Sequence, residues 1–186
     1  METRLEIVKQ QIDALCSTKD HVIIAIDGNC TSGKTTLASQ LAACYDCNVF
    51  HMDDFFLRPH QRTPERYAQP GGNVDYERFR EEVLLPLSAG KDFSYQPFAC
   101  KTFTLSAPVQ VPVKKLNIIE GSYSLHPYFG EPYDLKILLT IDPQLQMQRI
   151  LLRPAHLHKQ FTEQWIPMEN RYLEELRIAD RADFIL

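Results

Sequence analysis

The stretch Gly28-Asn29-Cys30-Thr31-Ser32-Gly33-Lys34-Thr35 constrains this chain more than any other. Its spacing is glycine, four residues, glycine, lysine and a hydroxyl residue. Before it runs His21-Val22-Ile23-Ile24-Ala25-Ile26-Asp27, a short apolar, β-branched segment that reads as a buried parallel strand. After it runs Thr36-Leu37-Ala38-Ser39-Gln40-Leu41-Ala42-Ala43, a good helix former with apolar residues at helical spacing. In a strand, loop and helix of this kind, backbone N–H groups and a helix N-terminus converge on one anion. Lys34 is then placed to neutralise the β- and γ-phosphates of a nucleotide, and the Thr35 hydroxyl to ligate Mg²⁺. The expected ATP-binding loop comprises Gly28, Asn29, Cys30, Thr31, Ser32, Gly33, Lys34, Thr35 and Thr36.

The rest of the chain continues the alternation of strand and helix. Leu5, Val8, Ile12 and Leu15 recur at steps of three and four and predict an amphipathic helix over 2–16. Asn48–Met52 is a second strand, ending in Asp53-Asp54. A Pro- and Arg-rich stretch, Leu57 to Asn73, reads as a long functional loop. Residues 75–89 are helical until Pro86 bends or ends them, and 93–113 alternate as a β-hairpin or flap. Leu116–Ile119 and Leu135–Ile141 are further core strands. Helices follow over 143–153 and 159–177, the latter interrupted near Pro167, and Asp183–Leu186 is a last strand. The expected architecture is one α/β domain over 1–186. It has a five-stranded, mostly parallel sheet flanked by helices, a β-flap at about 93–113 and a helical lid at about 149–165.

In such sheets ligands bind at the carboxyl ends of the strands. Those ends carry the glycine loop, Asp53-Asp54 and Glu120-Gly121. A lysine and several carboxylates around a phosphate loop form a phosphoryl-transfer constellation. Asp53 or Asp54 can deprotonate an acceptor hydroxyl, or simply start a turn. Glu120 can hold Mg²⁺ directly or through water, or act as a cap. Arg149 and Arg153, four apart on one helix, can steady charge on the transferring group or face solvent. Arg58, His60, Arg62 and Arg66 make the 57–73 loop basic, either as a solvated surface or as a site for an anionic acceptor.

Taken together these segments resemble the uridine kinase family of P-loop kinases, whose relatives include nicotinamide riboside kinases, pantothenate kinase and phosphoribulokinase. The resemblance rests on Gly28–Thr35, His51-Met52-Asp53-Asp54-Phe55-Phe56, Asp75-Tyr76-Glu77-Arg78-Phe79, Ile118-Ile119-Glu120-Gly121, Arg149 to Arg153, and Trp165 to Asn170. It implies Asp53 as general base, Thr35 and Glu120 as Mg²⁺ ligands, and Lys34, Arg149 and Arg153 as stabilisers of transferred charge. It also implies Asp75 as a partner for the acceptor's ribose hydroxyls and Tyr95 as a nucleobase contact. The chain departs from the family where a base-reading His follows that tyrosine by five residues, since Cys100 stands there. The lid segment Pro154-Ala155-His156-Leu157-His158 is also short.

Composition narrows the rest. A net charge of −4 disfavours a general nucleic-acid binder. No apolar run approaches the length that spans a bilayer, and the charged start lacks a signal-peptide core, so a cytoplasmic protein is expected. The five cysteines read as free thiols, with Cys44 and Cys47 an isolated pair that no second pair completes into a zinc site. Cys30, inside the loop, is a candidate for alkylation that blocks binding. The expected partners are ATP, Mg²⁺ and a small hydroxyl acceptor, with no nucleic acid or membrane, and self-association left open. The favoured acceptor is the 5′-hydroxyl of a nucleoside. The alternatives are a non-nucleoside alcohol of the pantothenate or sugar type, or a regulatory ATPase without an acceptor. The absence of an Asn-Lys-x-Asp run disfavours a GTPase.

Overall fold

The computed structural model describes residues 3–186. Helix α1 (Arg4–Thr18) opens with a capping box, in which the Thr3 side chain accepts from the Glu6 N–H and the Glu6 carboxylate accepts from the Thr3 N–H. Residue 2, included in the expected helix, lies outside the described residues. Strand β1 (Val22–Gly28) feeds the loop and α2 (Lys34–Ala42), and β2 (Cys47–His51) follows. Short helices α3 (Pro64–Tyr67), α4 (Tyr76–Phe79) and α5 (Leu85–Ser88) precede the flap strands β3 (Phe93–Tyr95), β4 (Phe98–Ala99), β5 (Thr104–Leu105) and β6 (Val109–Val111). Strands β7 (Leu116–Glu120) and β8 (Leu135–Leu139) lead to α6 (Pro143–Leu151), α7 (Ala155–Gln160), α8 (Ile166–Glu175) and β9 (Phe184–Ile185).

The central sheet has the order β2-β7-β1-β8-β9. Every neighbouring pair in it is parallel, where the sequence suggested a mostly parallel sheet. Alternate residues of β1 face two cores. Val22, Ile24 and Ile26 join Val8, Ile12, Leu37 and Leu41 beneath α1 and α2. Ile23 and Ala25 join Phe50, Phe55, Phe79 and Tyr172 on the other side. This period of two, buried on both faces, is why the strand reads as a continuous apolar run. The register pairs Ile26 with Glu120 and Glu120 with His51, so three strand ends meet beside the loop.

Of two prolines expected to bend, end or interrupt helices, neither ends one, and the α-helical ladder is interrupted just before each. Pro86 and Pro167 each follow a π-helical turn, Arg80–Leu84 and Phe161–Trp165. The Leu85 N–H reaches back to the Arg80 carbonyl and the Ile166 N–H to that of Phe161. A wider turn just before a proline relieves the clash of its ring with the preceding turn, so the helix continues. The second helical segment accordingly runs from Ala155 to Glu175, the expected interruption near Pro167 being the π turn Phe161–Trp165. The flap is likewise more than one hairpin. Two short antiparallel ladders, β3 with β6 and β4 with β5, are nested and offset by one residue, as a bulge beside Pro97 and Pro108 requires. The 57–73 stretch, expected as a loop, holds a 3₁₀ turn over Pro59–Gln61 and the helix α3.

Candidate active site

The glycine loop is shaped by its neighbours as much as by its own sequence. Gly28 has φ +138°, and a Cβ there would lie 2.0 Å from the Leu139 carbonyl oxygen, so β8 can approach only a glycine. Gly33 has φ +104° at the N-cap of α2, with no side-chain cap and open space where a Cβ would project. The first-turn N–H groups of α2 are thereby left for an anion. Lys34 is buried, and its Nζ donates to the carbonyls of Gly28 and Asn29, both at 2.8 Å.

Along the strand edge, Thr35 Oγ1 donates to the Glu120 carboxylate, with contacts of 3.1 and 3.2 Å. A hydroxyl and a carboxylate brought together beside a phosphate loop are the oxygen donors that Mg²⁺ takes alongside water and phosphate. Among the described residues no group of three or more His, Cys, Asp or Glu could form an all-protein metal cage. The other Glu120 contact is His51, whose Nδ1 lies 2.5 Å from Oε1. That hydrogen bond raises the His51 pKa against the opposing effect of burial.

Asp53 and Asp54 follow β2 on a 3₁₀ turn, Met52–Phe55, and are not equivalent. Asp54 is half-buried and accepts from the Tyr95 hydroxyl at 3.1 Å. Asp53 sits at the open mouth of the edge and makes no side-chain hydrogen bond among the described residues. Surrounding protein strips enough of its hydration to push its carboxyl upward; Glu120 pushes the same way, and Lys34 opposes both.

The remaining expected residues are placed differently from one another. Asp75 is fully buried. It caps α4 through the Arg78 N–H at 3.2 Å, and Arg58 Nε reaches it at 3.2 Å. Tyr95 is a core residue packed on Phe50 and Phe55, with only its hydroxyl engaged by Asp54. Arg149 reaches the loop, its Nη1 donating to the Thr31 carbonyl at 2.7 Å. The Arg153 side chain makes no hydrogen bond or ion pair among the described residues, so the arginine pair is split. In the basic 57–73 stretch the arginines are engaged by neighbouring groups, while His60 is exposed. Arg66 pairs with Glu77 and lies 3.9 Å over the Tyr76 ring, and Arg62 covers Phe98 and Phe103. Cys100 is exposed at the flap tip. Cys30 is a poor target for alkylation. Burial, and after it the neighbouring Glu169, push its thiol up to about 12.

Several contributors escape sequence reasoning. Asp27, fully buried at the end of β1, accepts from the N–H groups of Gly28, Tyr123 and Leu125 and from the Tyr172 hydroxyl, at 2.6 to 3.0 Å. Burial raises its carboxyl, and those four bonds offset the cost. Arg4 of α1 donates to the Ser32 carbonyl at 3.2 Å, and Gln146 of α6 to that of Cys30 at 3.1 Å. Glu169 of α8 accepts from the Cys30 N–H at 2.7 Å and from Ser122 Oγ at 2.9 Å. Asp27 closes the strand run before the loop, a visible position whose role depends on donors about a hundred residues away. Glu169 lies within the Trp165–Asn170 segment that carries the resemblance, but its contact with the loop is not legible there.

No family profile matches the chain. The chain is 21% identical over 169 residues to uridine-cytidine kinase C of Dictyostelium discoideum, and the alignment takes in 86% of this chain. It spans 38% of the length of that curated relative. Among solved structures, a possible uridine kinase from Bacillus stearothermophilus superposes with a TM-score of 0.68 at 24% identity, covering 97% of this chain and 99% of that one. A candidate fructose transport system kinase from Silicibacter sp. TM1040 superposes with a TM-score of 0.70 at 20% identity over the whole of both chains.

Proposed function

Starting from the P-loop kinase fold that the whole chain shares with these structures, we propose an ATP-dependent small-molecule kinase that transfers the γ-phosphoryl group to a hydroxyl. The observation that carries this reading is the Asp53 carboxylate, without a hydrogen-bond partner among the described residues and close enough to Lys34 and Glu120 to feel both charges, beside the Thr35–Glu120 pair. A transfer enzyme needs a carboxylate to take the proton of the attacking hydroxyl.

In this proposal Lys34 exchanges its two loop carbonyls for phosphate oxygens. Thr35 and Glu120 would hold Mg²⁺, which supplies charge neutralisation at the phosphates. Arg149 adds positive charge from above the loop, and Arg153 can reach the same region once the segment between α6 and α8 closes. The site works by positioning and electrostatics more than by covalent chemistry. Asp53 is the base, while Asp54 is tied to Tyr95. The ATP requirement and the free cysteines fit the cytoplasmic setting expected from the sequence.

For the acceptor, the nucleoside 5′-hydroxyl draws support from the likeness to a uridine-cytidine kinase. It asks Asp75 to take up a ribose diol, for which Arg58 must withdraw from the carboxylate. The fructose transport system kinase likeness favours the sugar-type alternative equally well. The test is a coupled ADP-release screen over nucleosides, nicotinamide riboside, pantothenate and sugars. One acceptor class should raise ADP release well above the rate with ATP alone, and Lys34→Ala should abolish it. ATP hydrolysis indifferent to every acceptor would instead favour a regulatory ATPase.

A further inference from the structure

Six side chains from outside the glycine loop bond to its backbone: Arg4, Asp27, Ser122, Gln146, Arg149 and Glu169. Arg4, Gln146 and Arg149 donate to the carbonyls of Ser32, Cys30 and Thr31, and Ser122 to that of Gly28. Asp27 accepts the Gly28 N–H at the end of β1, and Glu169 accepts the Cys30 N–H farther into the loop, the kind of group that a phosphate oxygen also seeks. Glu169 does so with a carboxylate only 6% exposed, next to a site built for a polyanion. A buried negative charge beside phosphates is electrostatically adverse, so its retention calls for an account beyond packing. Its second oxygen is fixed by Ser122, two residues beyond Glu120, and Ser122 Oγ also lies 3.1 Å from the Gly28 carbonyl. The next residue on α8, Asn170, accepts from the Asn29 amide at 3.2 Å. Between these anchors Thr31 is held at φ +62°, a conformation a non-glycine residue keeps only when its surroundings impose it.

We propose that Glu169 is a positioning residue for phosphoryl transfer, joining α8 to the first half of the loop and to the strand end that carries Glu120. Through two hydrogen bonds it ties together three pieces: the loop at Cys30, the β7 end at Ser122, and the helix that continues from the lid segment. The groups that receive ATP and those that receive Mg²⁺ are thereby held in one frame. The role rests on hydrogen-bond acceptance and not on charge, so glutamine, which keeps an acceptor oxygen for the Cys30 N–H, should serve in place of glutamate. This inference rests on the kinase reading for its catalytic consequence, but not for its structural one.

The test uses the full chain with Glu169→Ala, Glu169→Gln and Ser122→Ala, read by steady-state turnover and by hydrogen exchange of the peptide carrying the loop. Glu169→Ala should lower kcat by about 30-fold with KM for ATP moved by less than about threefold, the pattern of misplaced reacting groups. Its loop peptide should exchange faster than in the wild type. Glu169→Gln should recover most of the lost turnover and protection, and Ser122→Ala should give a smaller loss of the same kind. Alanine at 169 with turnover within about twofold of wild type and unchanged loop exchange would overturn the proposal. So would a glutamine variant as damaged as the alanine one in both readouts. If the wild type turns over no acceptor, the kinase reading fails, and loop exchange across the variants still decides for or against Glu169. Should the alanine variant not fold, the glutamine and Ser122 variants carry the same comparison.

Discussion

At the scale of single residues, the two adjacent acids show how chemistry separates what sequence leaves equivalent. Asp54 is engaged by the Tyr95 hydroxyl and Asp53 is not, so the two should respond differently to the same change. Asp53→Asn should lower kcat by about 10²- to 10⁴-fold while calorimetry shows ATP binding retained. Asp54→Asn should cost less than about tenfold, since it weakens only the hydrogen bond from Tyr95. The reverse order of effects would move the base to Asp54. Asp27 presents a different kind of dependence. Its two oxygens face four donors, so an asparagine NH₂ must point at an N–H or O–H. Asp27→Asn should destabilise the fold by about 3 kcal/mol, the cost of leaving buried donors unmet, as a denaturant midpoint would show. Asp27 stood in the sequence as the last residue of an apolar run. Nothing near it in the chain announced that Tyr123, Leu125 and Tyr172 would converge on it.

At the scale of elements, close approach between strands sets what the loop can be. The first glycine of the motif reads as a phosphate-loop residue, yet the β8 backbone is what excludes a side chain there. Gly28→Ala should therefore damage the β1–β8 pairing itself, costing about 3 kcal/mol from strained backbone and overlap with Leu139. Thermal unfolding without any nucleotide measures this; an alanine variant as stable as wild type would place the glycine's role in ligand contact alone. Helix continuity was equally hidden. Pro86 and Pro167 are legible as helix breakers, and a π turn before each lets its helix run on. The consequence reaches the site. A wider turn at Phe161–Trp165 alters which face of α8 meets the loop, and Glu169 and Asn170 lie on that face.

At the scale of the whole molecule, two cores on opposite faces of one sheet leave the strand ends free to carry chemistry. One half-buried histidine ties acid stability to this packing. His126 stacks on Tyr76 and Tyr172, accepts the Tyr128 N–H at Nδ1, and lies 3.4 Å from the Pro70 carbonyl through Nε2. Burial lowers its pKa to about 4, so the folded state prefers the neutral ring that this bonding requires. A depressed value means the contribution is intact above the ordinary pKa of 6.5 and is lost as pH falls through the interval down to about 4. The melting temperature should drop more steeply across that window in the wild type than in His126→Gln. Parallel slopes would show that His126 is not the titrating group. The sequence by itself determined the phosphate loop, the succession of strands and helices, and the acidic residues at strand ends. Those signals are local: spacing, periodicity and turn chemistry within a dozen residues. Tertiary structure decided that Asp53 stays open while Asp54 is engaged, that Asp75 is buried beneath Arg58, that Arg149 and not Arg153 touches the loop, and that Glu169 joins it. Each of these is a contact between segments far apart in the chain, fixed by packing and by the register of the sheet, and a linear pattern carries no measure of such a distance.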